Sequence, residues 1–180
     1  MLELLEAATI ERAMASWKIL ALANIGLASS SGIFVLCGFP SERAERKGDL
    51  IRGSRIIAFT ERIPEPPENA EEPVHSALDL FFYYDAEAIH ITGATISVPS
   101  LKGCSGAAIW EYRESPAMSV WTPEQCLKAV GIQCSFRRDQ YFRAKNWVAV
   151  LEMLRKYDGQ LAALVNDYKS GLARSTYSTL

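Results

Sequence analysis

Short apolar runs and charged, glycine- or proline-rich breaks alternate along this chain. Residues 32–40, GIFVLCGFP, are β-branched and aromatic, apolar on both faces, and stopped by Gly-Phe-Pro. That pattern predicts a central strand. Residues 54–63, SRIIAFTERI, alternate as a half-buried strand does. The next twelve, PEPPENAEEPVH (64–75), hold four prolines and four glutamates and predict an exposed loop or flap. ALDLFFYYD (77–85) and AIHITGATISV (88–98) predict a further pair of strands. GAAIWEY (106–112), CLKAVGIQCSF (126–136) and YFRAK (141–145) predict three more, the last two joined by the charged turn RRDQ.

From Asn146 the period changes. Trp147, Val150, Leu151 and Leu154, then Leu161, Leu164 and Val165, recur at helical spacing. A helix over 146–157, a break at Asp158-Gly159 and a second helix to about residue 169 follow. Residues 3–15 are rich in Ala, Leu and Glu and suit a helix. The expected fold is mostly β: a six-stranded antiparallel barrel with a C-terminal helical segment, closure removing the exposed sheet edges. The domain plan is an N-terminal arm (1–31), the barrel (32–145), C-terminal helices (146–170) and a flexible tail (171–180).

Composition narrows the function classes. A net charge of −2 over 180 residues gives no overall basic bias toward nucleic acid or an anionic membrane. No apolar run reaches the roughly 18–20 residues of a membrane span, and the acidic start is unlike a signal peptide. Cys37, Cys104, Cys126 and Cys134 are widely and irregularly spaced, with no C-x-x-C pair. They suit reduced thiols in a cytoplasmic protein better than a zinc site or a disulfide framework, although Cys126 and Cys134 are near enough in sequence to pair. No motif calls for a metal or a cofactor.

The candidate chemistry lies in LKGCSGAAIW (101–110). Serine attacks a carbonyl only with a base to take its proton and donors for the oxyanion. In Gly-x-Ser-Gly the side-chain-free Gly103 can turn its N–H toward a reacting carbonyl, beside the N–H of Ser105, and Gly106 permits a sharp turn into the next strand. Alone, the four residues describe an ordinary polar turn better than a nucleophile loop. Their position adds meaning: one strand follows at once, and a second containing AVGIQCS follows about 25 residues later.

In that order, GCSGAAIW, KAVGIQCSF and QYFRAKNWVAVLEML resemble the C-terminal half of the chymotrypsin/trypsin-like serine peptidases. VLCGFP resembles the start of the second barrel in compact bacterial members. The resemblance spans about residues 32–157. It implies Ser105 as nucleophile, the N–H groups of Gly103 and Ser105 as oxyanion hole, and Gly131, Ile132, Gln133, Cys134 and Ser135 as one wall of a cleft for a peptide or protein substrate. Ala107 and Ala108 stand where the family has Gly-Pro. Cys104 stands where many secreted members carry an aspartate, so activation through a freed N-terminus is not implied.

The family's base and acid come from its first barrel, as His and then Asp. Here the two histidines, His75 and His90, both fall in the second-barrel region. MLEL (1–4) is similar to the continuation of the strand that bears the acid, and residues 17–39 to the joining stretch. The expectation is a fragment, or a translation start placed at an internal methionine, whose first barrel is missing; a lone second barrel would need a partner chain over its exposed apolar face unless residues 1–31 cover it. Two other readings stand beside it: a non-catalytic peptidase-like binding module, and a hydrolase using Cys104.

Overall fold

The computed structural model describes residues 6–16, 21–114, 126–157, 159–160 and 162–168. Its elements are helix α1 (Ala7–Ser16), strands β1 (Ile33–Gly38), β2 (Ala44–Lys47), β3 (Leu50–Gly53), β4 (Ile56–Thr60), β5 (Arg62–Ile63), β6 (Asp79–Tyr84), β7 (Glu87–Ile89), β8 (Thr95–Ser97), β9 (Ala108–Tyr112), β10 (Leu127–Arg137) and β11 (Gln140–Asn146), and helix α2 (Trp147–Tyr157). Seven strands form one antiparallel sheet in the order β4-β1-β9-β10-β11-β6-β5. The hairpins β2–β3 and β7–β8 stand apart from it.

The sheet curls because its two edge strands are consecutive in the chain. Only Glu61 separates β4, at one edge, from β5, at the other. The N–H of Tyr83 donates to the Glu61 carbonyl (3.2 Å), and Thr60 Oγ1 donates to the Tyr83 carbonyl (2.7 Å). Irregularities in β10 between Ala129 and Gly131 and between Gln133 and Ser135 help it bend. Inside the curl, alternate residues from every major strand meet, among them Phe34, Leu36, Leu80, Phe82, Ile109, Val130 and Phe142. Phe82 stacks on Phe142 and meets Phe34 edge-on. This two-residue alternation is the pattern by which the strands were legible.

Two expectations need correction. Residues 88–98 are not one strand of the sheet but the hairpin β7–β8, turning at Gly93 (φ +85°). The N–H of His90 donates to the Ala94 carbonyl and that of Gly93 to the His90 carbonyl, each at 2.8 Å. Turn chemistry at Thr92-Gly93 outweighs the β-branched run around it. Hairpin β2–β3 was not expected at all: both its faces are exposed, so ERKGDLIRG carries no apolar alternation. The main sheet counts seven strands where six were expected, because the predicted strand 54–63 divides at Glu61 into β4 and β5.

The arm and the C-terminal helices share a small second core. Ile25, Leu151 and Val165 are buried together, with Leu22, Trp147, Leu154 and Tyr168 packed around them. Gly26 N–H donates to the Ala129 carbonyl (3.0 Å) and Lys128 Nζ to the Ala23 carbonyl (2.7 Å), so residues 21–31 are docked on the start of β10. Residues 162–168 are helical, as the spacing predicts. Helix α1 overlaps the predicted 3–15 region, running one residue past its end, and buries none of its residues. The strand reading of residues 1–4 and the tail 171–180 lie outside the described residues.

The proline-rich segment 64–75 is exposed but not free. It runs along the outer face of β6 and β11, where Arg143 donates to the carbonyls of Glu71 (2.8 Å) and Pro73, and Arg137 to that of Asn69 (2.8 Å). Asn69 Nδ2 donates to Gln140 Oε1 (2.7 Å). Proline lacks an N–H and so cannot extend the sheet, while the carbonyls of the segment remain available to arginine.

Candidate functional site

Strand directions decide which loops gather. Gly38 pairs with Ile56 and Leu36 with Ile109, so β1 ends where β4 and β9 begin. Tyr84 pairs with Gln140, so β6 ends and β11 begins at that same end. The serine loop, both separate hairpins and the β10–β11 turn therefore share one end of the sheet. Ser41 N–H donates to the Lys102 carbonyl (2.7 Å), Ser100 N–H to Glu42 Oε2 (3.1 Å), and Tyr84 OH to the Pro99 carbonyl.

Within the loop, Leu101 and Cys104 are buried while Lys102, Gly103, Ser105 and Gly106 are exposed. Gly103 and Gly106 adopt φ of +94° and +93°, the left-handed region that favours glycine. A Cβ on Gly103 would stand 2.9 Å from Ser41 N, so the residues after β1 sit directly under the turn. Cys104 N–H donates to the Leu101 carbonyl and Ala107 N–H to the Cys104 carbonyl, both at 2.9 Å. Gly106 N–H donates to the Gln133 carbonyl (2.9 Å) and Gln133 N–H to the Ala107 carbonyl (2.8 Å), fixing the loop to β10. The N–H groups of Gly103 and Ser105 make no hydrogen bond to any described residue, and neither does the Ser105 hydroxyl.

The predicted cleft residues lie beside this loop. Gly131 is buried where β10 approaches β11 closely; a Cβ there would meet the Lys145 carbonyl at 3.0 Å. Ile132 is half-buried and pairs with Ala108 and Lys145. Gln133 is buried, its Nε2 donating to the Ser135 carbonyl (3.1 Å). The following irregularity puts Cys134 at the surface, its Sγ 3.4 Å from the Arg143 carbonyl, with Ser135 half-buried. Gln133 engages Ala107 and Gly106 with both its N–H and its carbonyl, and past it β10 has a partner only in β11. Its other edge is open next to Ser105, a place where an extended peptide could add a strand.

Neither histidine joins the site. His75 precedes β6, at the opposite end of the sheet, with six residues of strand, roughly 20 Å, intervening. His90 shares the serine-loop end but sits exposed in the β7–β8 turn, its Nδ1 2.9 Å from Thr92 Oγ1. Nor does Cys104 offer a thiolate. Burial, and then the neighbouring Cys37, raise its pKa above the ordinary thiol value, and its side chain lies against Gly38 in the core. All four cysteines are free.

One charged cluster escaped the sequence reading. Asp79 is buried and binds Arg143 Nη2 (2.5 Å), Lys145 Nζ (2.5 Å) and the N–H of His75 (2.8 Å). Burial alone would raise its pKa, but hydrogen bonds from Arg143, Lys145 and His75 outweigh it and hold the carboxyl at about 2. Arg143 also lies over the Phe81 ring, 5.7 Å from its centroid. The available signal was a charge out of pattern in each of two apolar runs, LDLFFYY and YFRA. The cluster holds segment 64–75 and lies away from Ser105.

No helix among the described residues is long and apolar enough to cross a membrane. No protein-family model matches the chain, and neither a curated protein nor a solved structure matches it.

Proposed function

We propose that the chain is the nucleophile-bearing barrel of a trypsin-like serine endopeptidase, cleaving peptide bonds through an acyl-enzyme on Ser105. One observation carries this reading: an exposed serine on a left-handed double-glycine turn, with the two N–H groups of Gly103 and Ser105 unbonded beside it. Those donors would receive the oxyanion, and the open edge of β10 past Gln133, at residues 134–135, would align the substrate. Strand order supports the fold half of the proposal. With β4 and β5 counted as one strand interrupted at Glu61, the strand order runs first, second, third, sixth, fifth, fourth, the order a Greek-key barrel of the chymotrypsin kind would require. A base and an acid must then come from elsewhere, on a first barrel or a partner chain, because no described side chain takes the Ser105 proton.

The test is labelling by a fluorophosphonate, with the adduct mapped by mass spectrometry. The chain expressed with the open reading frame upstream of Met1 is expected to gain an adduct on Ser105, lost in Ser105→Ala. The chain alone is expected to react no faster than that variant. No adduct in either form would sink the peptidase reading. A second reading, a peptidase-like module that binds without cleaving, would then stand, favoured by the absence of a base near Ser105 among the described residues. In that case peptides should still bind along β10, and Ser105→Ala should not change their affinity.

A further inference from the structure

The serine-loop end carries two hairpins that stand outside the main sheet, and both present aliphatic side chains to solvent. On β2–β3, Leu50 and Ile51 are exposed, Ile51 to 75%. On β7–β8, Ile89 is exposed and Ile91, in the turn itself, is 97% exposed. Single exposed leucines need no explanation. Four aliphatic groups at the outer parts of two hairpins on one end of a sheet do.

The charges around the first hairpin are unbalanced in a way the chain's net charge conceals. Arg43, Arg46, Lys47, Arg52 and Arg55 are all exposed, against Glu42, Glu45 and Asp49 over residues 42–55. None of the five cations forms an ion pair with a described residue. Residues 46 and 51, and 47 and 50, stand opposite each other in the register, so each aliphatic side chain has a cation as its cross-strand neighbour.

We propose that this end of the molecule docks on an anionic bilayer surface, with the tip of β2–β3 entering the interface and Ile91 adding a second contact. A ribbon exposed on both faces offers no concave surface for a folded partner, whereas a bilayer takes a narrow apolar tip end-on. Paired cations beside inserted aliphatic groups are the arrangement by which peripheral segments grip acidic headgroups, their stems lying along the apolar layer. Docking of this kind would hold Ser105 close to the membrane plane whether or not the serine is catalytic.

Co-sedimentation with vesicles tests it, using phosphatidylcholine with and without one third phosphatidylserine. The wild-type chain is expected to pellet with the mixed vesicles, weakly with phosphatidylcholine alone, and to be released by high salt. Leu50→Ser with Ile51→Ser is expected to weaken binding about tenfold or more, and Lys47→Glu with Arg52→Glu by a similar factor. Should either pair shift the thermal melt, Ile91→Ser on the other hairpin carries the test, with a loss of about threefold. Failure of the wild type to bind mixed vesicles would overturn the proposal, as would binding that the Leu50/Ile51 pair leaves intact. A wild-type dimer dissolved by that pair, without vesicle binding, would overturn it in favour of a protein contact.

Discussion

Two outer faces of the same curled sheet are treated in opposite ways. Over β6 and β11, Phe81, Tyr141 and Arg143 are buried beneath segment 64–75. Over β4, β1 and β9, the register places Phe59, Val35 and Trp110 in one row, with Ile57 beside Cys37 and Ile33 beside Tyr112. That second face lies open: Phe59 is 72% exposed, and Ile33 and Ile57 are about half exposed. The first face is closed locally by an arginine whose buried charge requires carbonyls and a carboxylate around it. The second has only apolar groups, which one short polar segment cannot satisfy. A polar anchor inside an outer face lets a loop cover it; an apolar face calls for another body.

The comparison can be broken most severely at Arg143. Arg143→Ala leaves the buried Asp79 to Lys145 and the His75 N–H alone and frees the carbonyls of Glu71 and Pro73, so a loss of about 2–3 kcal/mol in urea-unfolding stability is expected. Faster amide exchange at residues 69–73 should accompany it. If the segment stayed protected, prolines rather than the arginine would be holding it.

Acid should reach the same anchor more gently. The Asp79 pKa is lowered from 3.8 to about 2. A lowered carboxylate pKa stabilises fully above the unfolded value and loses that contribution as pH falls through the folded one. Between pH 4 and 2 the fold should lose about 2 kcal/mol from this group. In Asp79→Asn that part of the pH dependence should vanish.

Tyr141→Phe removes only the hydroxyl that accepts from the Glu71 N–H (3.3 Å). A loss of about 1 kcal/mol is expected, since the ring still meets Phe81 edge-on. The smallest effect belongs to the open face. Ile57→Ser with Phe59→Ser should change the unfolding free energy by no more than about 0.5 kcal/mol, yet reduce self-association measured by sedimentation velocity. A large stability loss there would mean that the face is covered after all.

The legible parts of the molecule are those in which one residue's needs are met locally. Phe34, Leu36, Phe82 and Phe142 announce their strands through alternation, and Trp147, Leu151 and Leu154 announce a helix through its period. The serine loop was legible because two glycines mark positions of positive φ, but the close approach of Ser41 beneath Gly103 could not be guessed from them. The pairing of Asp79 with Arg143 was hidden by sequence distance, although each charge interrupts an apolar run. Hairpin β2–β3 was hidden for the opposite reason: a ribbon solvated on both faces imposes no pattern. In 88–98 the β-branched residues were read correctly as extended, but the turn at Thr92-Gly93 divides them.

The position of β1 in the sheet has a consequence for how the protein comes into being. Its partner β4 is made soon after it, but its other neighbour, β9, follows only when residues 61–107 have been synthesised. At about 5–20 residues per second, the nascent β1–β4 pair waits on the order of several seconds with one backbone edge unsatisfied and Phe34 and Leu36 still wet. During that interval the chain is open to pairing with a neighbouring ribosome's product. Slower synthesis across residues 61–107 would lengthen this exposure, so yield in a cell should respond to codon choice there even though the finished fold does not.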